Sequence, residues 1–145
     1  MITFKPMNTQ AEWDWMYNRC HQIRCEDSQG IVGYDKYGEI RCAAVFDSFT
    51  VDACSCHFAI GNPMCIRRGF IHEICRHLFI QCGRKRIFGL VPDNNERAYN
   101  IDTKIGFKEV ARIPHAIMDG VGYRVLCLEK KDCKYLPEEI REEAA

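Results

Sequence analysis

His57 is the side chain whose type best suits proton transfer in this sequence. An unperturbed imidazole has a pKa near 6.5, so the neutral ring can accept a proton at physiological pH. A hydrogen-bonded histidine within a strand is the competing interpretation, and the sequence leaves both open. His115 and Asp47 are further candidates for the same role, which we rank below His57.

Arg67 and Arg68 stand together at the predicted start of a helix, just before Gly69. Two guanidinium groups at such a position suit phosphate oxygens, because the helix dipole and the free backbone amides also favour an anion there. A solvated helix start or a partner-binding patch is the alternative. We favour phosphate contact.

Cys54, Cys56 and His57 resemble a set of zinc ligands, but their spacing does not favour a zinc site. Strand alternation puts the two thiols on one face of the sheet and the imidazole on the other. The chain has ten cysteines but no C-x-x-C pair. Because free cysteine is among the most buried residue types, we predict structural thiols without disulfides and no metal site.

The composition bounds the class of protein. The chain has 145 residues, 47% of them hydrophobic, and twenty basic residues balance twenty acidic ones. That length predicts a single domain. Zero net charge makes nucleic-acid binding unexpected, since nucleic-acid-binding proteins usually carry a basic excess. The sequence has neither a membrane-spanning stretch nor a signal peptide, so we expect a cytoplasmic protein; it is compatible with a homodimer without requiring one.

The elements that must position these residues follow from hydrophobic spacing. A Thr9-x-x-Glu12 capping box begins a helix predicted over 10–24. A second helix is predicted from about 66 or 67 to 81, and a third runs from the cap at 93–95 to about 104. Predicted strands cover 2–5, 31–35, 39–49, 53–60, 86–91, 107–117 and 123–129. Residues 1–136 form the expected domain, and 137–145 a charged tail that is either a solvated helix or a frayed end.

The order β-α-β-β-β-α-β-α-β-β predicts an α/β fold, with one mixed sheet covered by helices on both faces. The strands at 53–60 and 86–91 flank a helix. They are therefore expected to be parallel neighbours joined by a right-handed crossover.

With these elements in place, the sequence resembles the GNAT family of N-acetyltransferases. The resemblance spans nearly the whole chain in element order and is sharpest at Asn95-x-x-Ala98 followed by Ile105-Gly106-Phe107. It is similar above all to divergent members carried by bacteriophages, through His57 and the ending Cys133-x-Tyr135-Leu136. That finer likeness implies the cytoplasm of a host cell.

The family likeness implies a mixed sheet that splays into a V and a cleft for acetyl-CoA. The residues that the resemblance assigns to cofactor binding are Phe58, Ala59, Ile60, Arg67, Arg68, Gly69, Phe70 and Asn95. Of the family's phosphate loop only Gly69 is kept, because Ile66 replaces a polar residue and Ile71 a small one. His57 would be the base. Asp102 stands where the family has its proton-donating tyrosine, and Tyr99 lies one helical turn earlier.

The implied function is an acyl-CoA-dependent N-acyltransferase, most simply one that moves acetyl from acetyl-CoA to an amine of a small molecule or a protein. The alternative is a catalytically degenerate GNAT-fold module that binds a host or partner protein. Substrate choice in the family lies in the first helix, the loop after it and the last hairpin. Glu26, Asp27 and Asp119 in these segments would suit a cationic amine but are equally ordinary loop residues.

Overall fold

A computed structural model of the protein describes residues 1–143. The strands are β1 (Thr3–Pro6), β2 (Gln29–Tyr34), β3 (Ile40–Asp47), β4 (Ala53–Ile60), β5 (Arg86–Pro92), β6 (Lys108–Met118) and β7 (Val121–Glu129). The helices are α1 (Gln10–Cys20), α2 (Met64–Arg67), α3 (Phe70–Cys75), α4 (Glu96–Ile105) and α5 (Glu138–Glu143). A π-helical segment, Arg76–Gln81, continues α3, and a 3₁₀ turn spans Lys130–Asp132. The predicted α/β order is confirmed.

The seven strands form one mixed sheet in the order β1-β2-β3-β4-β5-β7-β6. Only β4 and β5 are parallel, and their register is short: Ala53 pairs with Arg86, and pairing ends where Ser55 meets Phe88. Beyond that point β4 stays paired with β3 and β5 with β7, but the two strands no longer pair with each other, so the sheet opens into the expected V. Polar backbone groups on the facing edges of β4 and β5 are thereby left free to bind a ligand.

Helices cover both faces of the sheet, each over its own apolar cluster. On one face, Trp13 and Met16 of α1 pack against Val32, Ala43 and Val45 of the sheet. On the other face lies the larger cluster, in which α3, its π-helical continuation and α4 pack against β4, β5 and β7. The helix α5 adds the half-buried Ile140 to that cluster. Residues 144 and 145 of the predicted charged tail lie outside the described residues.

The first helix is shorter than predicted. It begins as expected, with Thr9 and Glu12 forming both bonds of the capping box, but it ends at Cys20 instead of residue 24. His21 takes a left-handed conformation, with φ of 53°, and its amide donates to the Tyr17 carbonyl. Ile23, counted as part of the apolar stripe, is 69% exposed. Four residues that periodicity assigned to a helix therefore belong to a loop.

The helix predicted from 66 or 67 to 81 is broken in two. The helix α2 ends at Arg67, and Gly69, with φ of 99°, turns the chain before α3 begins. Because L-residues with side chains rarely adopt that φ, the position requires glycine. The break separates α3 from α2 at Arg68 and Gly69.

The last two strands form a hairpin at one edge of the sheet, with β6 outermost. Every residue of β6 is exposed, whereas β7 contributes buried Leu126 and Leu128 to the larger cluster. None of the helices within residues 1–143 has the length and apolar character needed to cross a bilayer.

Glu12 is a fully buried carboxylate that ties α1 to the sheet. It accepts hydrogen bonds from the amides of Asn8 and Thr9 and from the Tyr34 hydroxyl, and Lys5 lies 3.1 Å away. Burial alone would raise the pKa of Glu12, but these partners outweigh burial and lower the pKa to about 2. The folded state therefore favours the charged form.

Replacing Glu12 by Gln should lower the free energy of unfolding at pH 7 by about 2–3 kcal/mol, because a buried network loses its charge. A depressed carboxyl pKa stabilises the fold above the group's ordinary pKa, and this stability is lost as pH falls toward 2. Urea unfolding at pH 7 and pH 3 measures both effects. Asp14→Asn, an exposed change on the same helix, is the control. Equal losses in the two variants would contradict the role assigned to Glu12.

Candidate active site

The V between β4 and β5 opens into a cleft of about 650 Å³. Its walls come from β4, β5, the first turns of α4, Tyr123 of β7 and residues 19–22, at the end of α1 and just beyond it. His57, Asp102 and Asn95 of the predicted site all line it. The two unpaired strand edges give the cleft a floor of backbone donors and acceptors.

His57 lies on the α1 face of the sheet, opposite Val45 of β3. Its side chain is 26% exposed, so the imidazole can be reached from the cleft. Burial lowers the pKa of His57, while nearby Asp47 partly opposes that shift. The ring is consequently neutral at physiological pH and able to accept a proton.

A buried polar group behind His57 was not anticipated as a unit. The Asp47 Oδ1 lies 3.7 Å and the Ser55 Oγ 3.4 Å from His57 Nε2, and the Ser55 hydroxyl donates to Asp47 Oδ1. Gln22 completes the group by donating to Asp47 Oδ2 at 2.8 Å. The register of the β3–β4 hairpin could have predicted that Asp47 pairs with Ser55. The contact of Gln22 with Asp47 could not have been predicted, because it depends on how the loop after α1 packs on the sheet.

This arrangement is not that of a serine nucleophile. In a catalytic triad the carboxylate and the hydroxyl contact opposite nitrogens of the imidazole, whereas here both approach Nε2. Ser55 is also only 5% exposed, which keeps its hydroxyl from a substrate. The group therefore supports His57 and does not form a second active centre.

Asp102 and Tyr99, the two candidate proton donors, have different surroundings. Asp102 lines the cleft, and burial raises its pKa to about 7. The Tyr99 ring is covered by the Arg124 guanidinium, 4.1 Å from its centroid, and is not among the residues that line the cleft. A carboxyl that is half protonated at neutral pH can donate a proton, which an ordinary aspartate cannot.

Asn95 combines two roles, since it caps a helix and also faces the cleft. Its side-chain oxygen accepts from the Ala98 amide at 3.1 Å and so caps α4, and the residue also lines the cleft. Along β4, Phe58 and Ile60 line the cleft, while Ala59 packs against the α1 cluster.

The segment predicted to bind phosphate lies beyond the carboxyl end of β4. Arg67 and Arg68 are exposed, and neither they nor Gly69 and Phe70 line the cleft, although neighbouring Ile66 does. Phe70 is fully buried against Phe4 and Phe58, so only its backbone amide is available to a ligand. The Ile71 side chain is buried in the core and does not cover the backbone at Gly69.

The acidic loop residues that would suit a cationic amine do not line the cleft. Asp27 accepts a hydrogen bond from the Phe49 amide, and Glu26 and Asp119 are exposed elsewhere. His115, a fallback base, accepts from the Gly120 amide in the β6–β7 turn and is likewise outside the cleft. Asp47, the other fallback, is buried behind His57.

All ten cysteines are free thiols, and six of them are buried as predicted. Cys54 and Cys56 belong to the larger core cluster, on the face opposite His57. Burial raises the pKa of both thiols, which makes them poor nucleophiles. In residues 1–143, no group of three or more His, Cys, Asp or Glu residues is placed to bind a metal ion.

The sheet, its splay and the cleft are those of the GNAT acetyltransferase fold, and comparison with solved structures gives the same result. A spermidine N-acetyltransferase from Vibrio cholerae is 12% identical, with a TM-score of 0.72 over 95% of this chain and 98% of that one. A putative phosphinothricin N-acetyltransferase is 16% identical, with a TM-score of 0.65 over 89% and 98%.

These identities establish the fold alone. No family model matches the sequence, and no curated protein matches it either.

Proposed function

We propose that the protein is an acyl-CoA-dependent N-acyltransferase that transfers acetyl from acetyl-CoA to an amine. The observation that carries this proposal is the splayed β4–β5 cleft, which holds a neutral imidazole and a carboxyl of raised pKa. Transfer to an amine needs one group that removes a proton and another that supplies one. The titration directions of His57 and Asp102 suit these two roles at the same pH.

The site residues fit an acyl-CoA. The free edge of β4 over 56–60 can bind an extended pantetheine arm, since alternate amides point away from β3. Arg67, Arg68 and the backbone around Gly69 would hold phosphates where β4 ends. Acetyl-CoA supplies a thioester carbonyl that an amine can attack.

This chain's residues would then do three things. His57 would take a proton from the attacking ammonium group, directly or through water. A backbone amide of 58–60 would donate to the developing oxyanion. Asp102 would give a proton to the departing sulfur, and its carboxylate would then take up, through water, the second proton that the nitrogen loses as the amide forms. Two thiols, Cys20 and Cys56, line the cleft, but burial raises the pKa of both and makes them poor nucleophiles, so we propose direct transfer without a covalent enzyme intermediate.

Binding of acetyl-CoA by titration calorimetry tests this function directly. We expect saturable binding, and a variant with both Arg67 and Arg68 changed to Ala should bind about 10- to 100-fold more weakly, because charge-assisted phosphate contacts are lost. Arg76→Ala, which removes an exposed arginine bonded to Glu73, is the control and should bind normally. An unmodified protein that binds no acetyl-CoA at millimolar concentration would instead favour the partner-binding alternative.

A further inference from the structure

The charges lining the cleft are predominantly basic. The basic charges are those of Arg19, at the end of α1, and Arg97, in the first turn of α4, and the imidazole of His21 lines the cleft beside them. Asp102 is the one carboxylate among the lining residues within 1–143, and it is half neutralised near pH 7. A cleft of this composition attracts anions and repels polycations.

Arg19 and Arg97 have no carboxylate partner within residues 1–143, whereas five of the other ten arginines form ion pairs. The Arg19 guanidinium instead stacks on the Trp15 ring, 3.9 Å from its centroid. Stacking holds the planar group while leaving the N–H donors along its edge free. Trp15 in turn lies beside Gly61, just after the end of β4. Because Arg19 packs on the Trp15 ring, its guanidinium is held near that end of the strand.

Residues 19–22, which span the end of α1 and the start of the following loop, lie over the face of the sheet that carries His57. The Cys20 thiol is 4.0 Å from the Phe58 carbonyl, and Gln22 bonds to Asp47 behind the imidazole. The segment therefore runs alongside β4 in the opposite direction, with Arg19 and His21 above the outer half of the strand. Asp102 projects from α4, which packs on the other face.

We infer that the acceptor is a small amine that also carries an anionic group, a carboxylate or a phosphonate, bound by Arg19 with His21 and Arg97 beside it. The amine would then lie next to His57 and its anionic group next to the free guanidinium edge, where a bidentate contact is available. This inference rests on the proposed acyltransferase function and names its substrate class. It replaces the cationic amine that the acidic loop residues suggested, because those residues are not in the cleft.

Matched acceptor pairs that differ in charge test this inference. L-alanine is compared with L-alaninamide, 2-aminoethylphosphonate with ethanolamine, and spermidine is added as a polycation. Acetylated product is measured by mass spectrometry at saturating acetyl-CoA. In at least one pair we expect kcat/KM for the anionic member to exceed that of its neutral partner by tenfold or more, with spermidine a poor substrate.

Arg19→Gln should abolish that preference by raising KM for the anionic amine roughly tenfold or more, the size of a lost charge-assisted bond. The neutral amine should be unaffected, and Arg19→Lys should restore part of the preference. Arg24→Gln is the control, since Arg24 also stacks on a tryptophan, Trp13, but does not line the cleft.

Several outcomes would overturn the inference. The first is a kcat/KM for the neutral amines or for spermidine that equals or exceeds that for the anionic amines. The second is no acetylation of either anionic amine. The third is an Arg19→Gln variant that binds acetyl-CoA more weakly but keeps its KM for the anionic acceptor. Calorimetry with acetyl-CoA distinguishes failure of the proposed substrate class from failure of the proposed acyltransferase function. A protein that binds acetyl-CoA but prefers neutral amines contradicts only the substrate class, whereas one that binds no acetyl-CoA contradicts the function.

Discussion

His57→Gln should lower kcat by about 10²-fold or more, the effect expected when a general base is removed. Glutamine fills much of the same volume and keeps a hydrogen-bonding group near Asp47 and Ser55, so the fold should be retained. Affinity for acetyl-CoA should stay nearly unchanged, because the proposed role of the imidazole is to take a proton from the acceptor amine and not to bind the cofactor. Steady-state kinetics and calorimetry on the same preparations separate these two effects.

The pH profile of kcat/KM gives a second measure of His57. Only neutral imidazole accepts a proton, so activity should rise with pH through the pKa of His57, which burial places below its ordinary value. In His57→Gln this acid limb should disappear. His115→Gln, which changes an exposed imidazole of β6 outside the cleft, is the control and should leave rate and profile intact.

Two results would contradict this assignment. Full activity in His57→Gln would make the imidazole a structural residue of the sheet and leave deprotonation to water or to another group. Loss of acetyl-CoA binding in parallel with loss of thermal stability would likewise show that the change acts through the fold. His57→Ala separates these possibilities less well, since it also opens a cavity.

Local patterns predicted the strands and their order because alternation, short turns and one βαβ unit leave few topologies open. The splay itself came from the family resemblance, and the register that ends at Ser55 and Phe88 confirms it. Strand ends were predicted within a few residues: β3 stops at Asp47 instead of 49, and β6 covers 108–118 instead of 107–117.

The helix ends were harder to predict because they depend on backbone conformations that periodicity does not encode. Ile23 and Arg24 continue the helical pattern of α1, yet left-handed His21 ends it. Gly69 was predicted to belong to the second helix, and its positive φ divides that helix instead. Both errors fall at segments beside the cleft, where local structure departs from the simplest reading of the sequence.

The contacts of the candidate site depended on tertiary neighbours. An aspartate is a poor proton donor at neutral pH unless its pKa is strongly raised, and the burial that raises the pKa of Asp102 comes from tertiary packing that the sequence does not show. The sequence did not predict that Arg19 and His21 line the cleft, because nothing in their sequence context distinguishes them from residues on the solvated surface. Their position became apparent only once the end of α1 was placed over β4.

Asp102→Asn should reduce kcat by about 10²-fold, since an amide of nearly the same shape cannot give a proton to the departing thiolate. In the unmodified protein Asp102 must be protonated to act, and burial raises its pKa to about 7. Activity should therefore fall as pH rises through 7, which together with His57 predicts a bell-shaped profile. In Asp102→Asn the alkaline limb should be lost.

The same profile discriminates Asp102 from Tyr99. If Tyr99 were the donor, Tyr99→Phe would lower kcat and change the alkaline limb, while Asp102→Asn would leave that limb in place. Asp119→Asn, an exposed change in the β6–β7 turn, should alter neither limb. Because a neutral Asp102 also avoids the cost of a buried charge, Asp102→Asn should keep or slightly increase stability at pH 8. Loss of activity with retained stability in this variant would place the role of Asp102 in the chemistry and not in the fold.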